Sequence, residues 1–556
     1  MAGEAETTRA TSLANYALFD RLAEGGGGRV AIRFGERAYR YDEVAERARA
    51  LASYLARAGV RREQRVLLVL PDVPPFAWSF FGALACGGVV VMGNPAARPG
   101  ELRTIIEHAR PAAVIATPEV VAATWSALEA TRDLRAVLLA PSAATGADPE
   151  DEVAPPGLGE SPRFPIAPLR RAIDEGSARP EPLCELRPDD PAIWLLTSGS
   201  TGRPKAAVHA HRDLIAHTEA YARRTLGYRP DDVTISVPRL FFGYATGTNL
   251  IFPFAAGASV GLFSEPPTPE RLARAIADYR PTIVTNVPTM LSKLLERDDE
   301  LRAGGRPGLD LSGGRFHISA GEALPAALHD RFTSRFSVPI YDGIGSAETF
   351  HIYATNRPGD VRPGSLGRAV EGYELAILPP GARGPGAPEL SRGEVGVLWV
   401  RGPGVAREYA GDREASGSTF FGAWCKTGDR CRLDEDGYLH YEGRADSLFK
   451  AGGVWVAPAE VEACLAAHEA VAEAAVIPRR RDGLLKPEAR VVLSRRVRAR
   501  IASDRARAAL AEELRAHVRE KLGAQKHPRR IHFVDELPRS DRGKLDRAAL
   551  AEEDAS

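Results

Sequence analysis

Two hydrophobic periods alternate along most of this chain. Residues 30–39 switch between apolar and polar around a Gly35-Glu36 turn and predict a small hairpin, whereas 41–59 carry apolar positions at helical spacing. Residues 65–70 predict a buried strand, 76–85 a helix, 89–92 a strand, 100–109 a helix and 112–116 another strand. Strands that alternate with helices imply parallel sheet covered on both faces. A Pro-, Ala-, Gly- and acid-rich stretch over 141–185 reads as a long surface excursion. The alternation then resumes, with 213–225 helical and 233–237, 281–286 and 338–341 strand-like.

From about residue 393 the texture changes to short β pieces, at 396–400 and 437–441. A smaller unit begins near 446. Its first helix is opened by Pro458, with Glu460 and Glu462 where a helix N-terminus favours negative charge. A helix over 503–522 and a strand over 530–534 follow. The expected fold class is α/β, with no internal repeat. A large N-terminal domain (1–445) of parallel-rich sheets covered by helices, with a small β-barrel-like part, precedes a small mobile α+β C-terminal domain (446–556). The length of 556 residues agrees, since single cores stop growing near ~250–300.

Composition narrows the classes. Lys plus Arg (73) equals Asp plus Glu (73), so no bulk charge favours nucleic acid or an anionic membrane as partner. The uncharged stretches at 76–93 and 240–263 do not read as membrane spans: Gly87-Gly88 splits the first into helix and strand, and Pro253 with several glycines interrupts the second. The acidic N-terminus lacks the apolar run of a signal peptide. Five cysteines (Cys86, Cys184, Cys425, Cys431, Cys464) lack paired metal spacing and predict reduced thiols in a cytoplasmic protein.

The candidate chemistry begins at Thr197-Ser198-Gly199-Ser200-Thr201-Gly202-Arg203-Pro204-Lys205, directly after the apolar run 192–196. Glycines permit close backbone approach, hydroxyls and N–H groups supply donors, and Lys205 supplies a compact cation. The pattern suits a polyphosphate; the plain alternative is a Gly/Ser hairpin turn with a lysine beside it. It is not a Walker A loop, because Pro204 stands where the second glycine belongs. His209 and His211 could suggest a metal pair, but no third ligand stands at helpful spacing and strand alternation explains them.

Five further segments stand in order behind the loop: Ser319-Ala320-Gly321-Glu322-Ala323-Leu324-Pro325, Asp342-Gly343-Ile344-Gly345-Ser346-Ala347-Glu348, Lys426-Thr427-Gly428-Asp429, Gly443-Arg444-Ala445-Asp446, and Leu537-Pro538-Arg539-Ser540-Asp541-Arg542-Gly543-Lys544. With them the chain resembles the adenylate-forming acyl-CoA synthetase superfamily over nearly its whole length. The wording of the first two, and of Asn356-Arg357-Pro358-Gly359-Asp360, is most similar to benzoate- and aryl-CoA ligases.

The resemblance implies ATP-driven activation of a carboxylate with magnesium, then transfer to coenzyme A. It implies that the loop, Thr197 through Gly202 with Lys205, grips the β- and γ-phosphates. Glu348 would carry the magnesium, although Ala347 stands where the family has a threonine. Gly321, Glu322 and Ala323, with Asp342, Gly343 and Ile344, would line the adenine, and Ile344 replaces the usual stacking aromatic residue. Asp429 and Arg444 would bind the ribose. Lys544 would bridge the substrate carboxylate and the α-phosphate, holding together two anions that repel each other. Asp446 matches the hinge, and Lys450, Gly452 and Gly453 would wall the coenzyme A tunnel after rotation.

The acyl pocket resembles that of aryl ligases in Phe241-Phe242-Gly243-Tyr244, Gly345, His351 and Ile352. Gly243, smaller than the usual alanine, suggests room for a ring substituent such as an ortho-amino or hydroxyl group. His351 is either a polar partner for that substituent or a structural histidine bonded to backbone. The expected reaction makes aryl-AMP and pyrophosphate, then aryl-CoA and AMP. The alternatives are transfer to the phosphopantetheine of an acyl carrier protein, and a medium-chain aliphatic acid in place of the aromatic one.

Overall fold

The structure, a computed structural model, describes residues 12–142, 148, 151, 153, 163–198, 204–447, 449–451, 454–481, 484–498, 500–501, 503–539 and 545–552. Two large sheets carry most of the chain. The first has seven strands in the spatial order Ile166–Pro168, Ala136–Leu139, Ala113–Ala116, Arg65–Val69, Val89–Met92, Pro191–Ser198 and Pro204–Ala210. All neighbours are parallel except the last pair, an antiparallel hairpin whose register sets Thr197 opposite Lys205.

The second has nine strands. Val30–Phe34, Ser259–Leu262, Val233–Ser236, Ile283–Asn286, Phe316–Ser319 and Ile340–Gly345 run parallel, and antiparallel strands finish both edges. Both sheets read as continuous apolar strands because helices cover both faces. A shared core joins them: Val66, Leu68 and Val90 from one sheet are buried in the same cluster as Val260, Leu262 and Ile318 from the other. The first apolar stretch is the expected helix–strand pair, Pro74–Ala85 and Val89–Met92. Among the described residues, no helix is long and apolar enough to cross a membrane.

A five-stranded antiparallel sheet follows, built from Glu374–Leu378, Gly396–Arg401, Phe420–Phe421, Trp424–Leu433 and Leu439–Arg444. Beyond it, residues from Phe449 onward build a separate core. There Val461, Leu465, Leu514 and Val518 of the helices Pro458–Ala466 and Asp504–Leu522 pack on Val476, Ala489 and Val491 of a three-stranded sheet.

One expectation fails. The stretch 141–185 is not solely a surface excursion: Ile166–Pro168 is the edge strand of the seven-stranded sheet, and the helix Leu169–Ala178 packs on the helix Tyr41–Arg57. Gly176 makes that contact possible, since a Cβ there would lie 1.9 Å from the Ala50 carbonyl oxygen. Helix composition dominated by Arg, Asp and Glu on one face hid a three-residue apolar stripe of Leu169, Ala172 and Gly176. Likewise, the helix expected over 213–225 is an α-helix only over His211–His217 and widens to a π-helix over Thr218–Thr225.

Because backbone cannot yield like a flexible side chain, Gly176→Ala should cost on the order of 1–3 kcal/mol. Urea unfolding checks this; an unchanged midpoint would contradict the close-packing account.

Candidate active site

Ligands of open α/β sheets bind beyond the carboxyl ends of the strands. Here the carboxyl ends of both large sheets face one another. Gly243, after the second sheet's strand Val233–Ser236, lies against Leu195 of the first, and the Thr246 hydroxyl donates to the Met92 sulfur at 3.6 Å. The turn after Ile340–Gly345 carries Glu348 toward the strand Pro204–Ala210, where His209 Nε2 donates to the Ala347 carbonyl at 2.7 Å.

The strands that flank the candidate phosphate loop, Pro191–Ser198 and Pro204–Ala210, pair antiparallel. Gly199, Ser200, Thr201, Gly202 and Arg203 lie outside the described residues. Lys205 is placed, half-buried, with its ammonium 5.1 Å from the centre of the Tyr409 ring. The Tyr409 hydroxyl donates to Glu348 Oε1 at 2.6 Å. Lys205 and Glu348, distant in sequence, are therefore gathered around one aromatic side chain that sequence reasoning did not single out.

Asp429 and Arg444 face each other across a strand pair, with Arg444 Nη1 donating to Asp429 Oδ1 at 3.2 Å and to the Thr427 carbonyl at 2.9 Å. Glu322 Oε2 accepts from the Thr289 amide (3.1 Å) and hydroxyl (2.7 Å), binding the first turn of the helix Pro288–Ala303. Its Oε1 accepts from Arg539 at 2.8 Å. Arg539 also donates to Thr289 Oγ1 at 3.0 Å and to Glu473 at 2.7 Å, joining the C-terminal part to the segment that holds Glu322 and to the helix Pro288–Ala303. Arg495 pairs with Glu300 of the same helix. Gly321 takes φ +90°, a conformation that favours glycine. Asp342 is buried, and burial pushes its carboxyl well above the usual carboxylate range. Its backbone carbonyl accepts from Asn356 N at 2.9 Å.

Asp446 falls in a 3-10 turn, Ala445–Ser447, immediately after the strand Leu439–Arg444. Lys450 lies in a short hairpin opposite Trp455. Gly452, Gly453 and Lys544 lie outside the described residues.

The acyl-pocket candidates converge on an aromatic wall. The Tyr244 hydroxyl donates to the Asn286 carbonyl at 3.1 Å. Its ring lies 5.5 Å from that of His351, which also meets Phe252 at 4.9 Å. His351 Nε2 donates to the Tyr244 carbonyl at 2.9 Å, which favours the structural reading of this histidine. Gly345 and Ile352 are paired strand neighbours, and a Cβ at Gly345 would lie 2.4 Å from the His351 carbonyl oxygen. The room expected at Gly243 is filled: a Cβ there would meet a Leu195 methyl at 2.9 Å.

Residues 19–410 match the model of the AMP-binding enzyme family and residues 460–544 that of the AMP-binding enzyme C-terminal domain. The chain belongs to this family and is an AMP-forming acid–thiol ligase. It is 36% identical to the benzoate–CoA ligase of Thauera aromatica over 531 residues, 95% of this chain and 93% of that protein. Among solved structures, it is similar to an anthranilate–CoA ligase in complex with anthranoyl-AMP, with a TM-score of 0.84, 32% identity, and 97% and 96% of the two chains covered. A benzoate–CoA ligase from Burkholderia xenovorans LB400 gives 0.82 at 35% identity, with 97% and 100% covered.

Burial holds the histidines around this site neutral: His209, His211 and His351 are pushed down to about 4 and His317 to about 3, from an ordinary 6.5. Between pH 6.5 and 4 the unfolded chain therefore binds protons that the folded chain refuses, and stability falls as pH falls. His351→Gln should flatten the dependence of unfolding free energy on pH between 5 and 6 by up to about 1.4 kcal/mol per pH unit. Urea titrations at several pH values check this, and an unaltered slope would show that His351 is not held neutral.

Proposed function

We propose that the chain adenylates an aromatic carboxylic acid, benzoate or a substituted benzoate such as 2-aminobenzoate, and transfers the aryl group to coenzyme A. A carboxylate does not acylate a thiol directly, because its leaving group is oxide-like. Exchange of that oxygen into a mixed anhydride with AMP supplies a good leaving group, and pyrophosphate departs. In the second step the thiol displaces AMP and the aryl thioester forms.

The observation that carries the aromatic reading is the packing of the Tyr244 ring on neutral His351, close after the Glu348 turn, with the paired rings of Phe241 and Phe242 immediately before Gly243 and Tyr244 in the chain. Flat apolar surfaces of this kind suit a ring. The activities named for the benzoate and anthranilate ligases point the same way.

Lys205 and the hairpin would hold the terminal phosphates, and Asp429 with Arg444 the ribose. Glu348 would hold magnesium. Its half-buried carboxylate suits an ion bound chiefly through substrate phosphates, and among the described residues no group of three His, Cys, Asp or Glu could hold a metal alone. Bound there, magnesium would spread the charge that develops on the phosphates. The C-terminal part would rotate about Asp446 between half-reactions, exchanging Lys544 for the segment containing Lys450, Gly452 and Gly453.

Incubation with ATP, magnesium, coenzyme A and a panel of benzoates and medium-chain acids, followed by HPLC, tests the assignment. Stoichiometric AMP and aryl-CoA are expected. Turnover of aliphatic acids alone would refute the aromatic pocket, and AMP without a CoA ester would favour a carrier-protein acceptor.

The proposed role of Lys544 predicts an asymmetry. Lys544→Ala should slow adenylation by roughly 10²–10³-fold, the scale of losing one preorganised donor to developing charge. Thioester formation from supplied aryl-AMP should stay near wild type. Equal damage to both steps, followed separately by pyrophosphate release and by thioester absorbance, would contradict it.

A further inference from the structure

The segment 406–410 lies antiparallel to the strand Pro204–Ala210. Val208 N donates to the Glu408 carbonyl (3.0 Å), Arg407 N to the Val208 carbonyl (3.2 Å) and Ala410 N to the Ala206 carbonyl (2.9 Å), which sets Tyr409 opposite Ala207. Side chains two apart on a strand share a face, so Lys205 and Ala207 lie on the same side. Ala207 is small, and the Tyr409 ring covers it while presenting its face to the Lys205 ammonium. The other end of the same ring reaches Glu348.

Tyr409 is itself fixed. It is 5% exposed, packs on Phe420 with ring centres 5.1 Å apart, and its amide donates to the Ser416 hydroxyl at 2.9 Å. The backbone closes the arrangement, since Ala406 N donates to the Glu348 carbonyl at 2.8 Å.

We propose that Tyr409 is a positioning residue that holds Lys205 and Glu348 apart and aimed, one by its ring face and the other by its hydroxyl, so that Mg-ATP meets the cation and the carboxylate separately. The inference rests on the reading of Lys205 as a phosphate contact and Glu348 as the magnesium carboxylate. Two opposite charges near one another in a partly buried site attract strongly, and an intervening ring prevents them from collapsing into a pair. Meanwhile the hydroxyl occupies one Glu348 oxygen and orients the other. A carboxylate oxygen only accepts, so the phenol O–H is the donor in this contact.

The two ends of the side chain can be tested separately. Tyr409→Phe keeps the ring and removes the hydroxyl; Tyr409→Leu removes both. Isothermal titration of ATP into the full-length protein, in magnesium and then in EDTA, reads binding without turnover. Tyr409→Phe should weaken ATP binding about ten-fold in magnesium, the scale of a hydrogen bond to a charged group, and leave the EDTA value near wild type. Tyr409→Leu should in addition weaken binding in EDTA by roughly three-fold, the scale of an exposed cation–π contact.

Magnesium-dependent binding unchanged in Tyr409→Phe would overturn the proposal, and that variant decides the matter even if Tyr409→Leu does not fold. Equal losses with and without magnesium would also overturn it, by pointing to a merely structural role. If wild-type protein itself bound no ATP, the functional reading would fail and this inference with it.

Discussion

The site depends on one edge pairing, that of segment 406–410 with the strand leaving the candidate phosphate loop. The strand Pro204–Ala210 has Pro191–Ser198 on one side and this segment on the other, so it does not end the sheet as a free edge. Each backbone bond contributes only about 1 kcal/mol net. Their consequence is geometric: they fix where the loop re-enters the sheet and where Lys205 emerges. The same segment bonds the Glu348 backbone, so a lysine from one large sheet and a carboxylate from the other are located by a chain that belongs to neither.

A second constraint acts on the Glu348 side. The strand Ile340–Gly345 must lie close to Ile352–Thr355, and the space for a side chain at Gly345 is taken by the His351 backbone. The turn between these strands is thereby short, and Glu348 falls at its apex. His209 secures that apex from below through the Ala347 carbonyl. A neutral imidazole serves better than a charged one in so buried a place, since charge there would carry a large desolvation cost. The contacts from His351 and His209 thus fall on the backbone around Glu348, while its carboxylate is met by the Tyr409 hydroxyl.

Most of the fold was legible because its strands are short apolar runs and its helices amphipathic, both local signals. Lys205, Glu348, Asp429 and Arg444 stood out as motif residues; the contacts that gather Lys205 and Glu348 around Tyr409 did not, because contacts across hundreds of residues leave no local trace. Tyr409 sits in an unremarkable stretch, and only its register opposite Ala207 reveals its position. Gly243 misled for a related reason: absence of a side chain suggested empty space, but Leu195, from a different sheet, fills it. Leu169–Ala178 escaped because its buried stripe is only three small or medium residues wide and rests on a glycine contact that no hydrophobicity pattern records.

Arg539 shows how one contact limits the C-terminal part. Its guanidinium is held by Glu473 of the C-terminal three-stranded sheet and reaches Glu322 and Thr289 across the boundary, so the same half-buried group serves both sides. Any rotation of the C-terminal part would have to separate Arg539 from Glu322. It would leave the Glu322 carboxylate with Thr289 alone and part Arg495 from Glu300 as well. Such charge-assisted bonds are stronger than neutral ones but are readily replaced by water at a half-exposed interface. Contacts of this kind hold the boundary in one arrangement and can still be released.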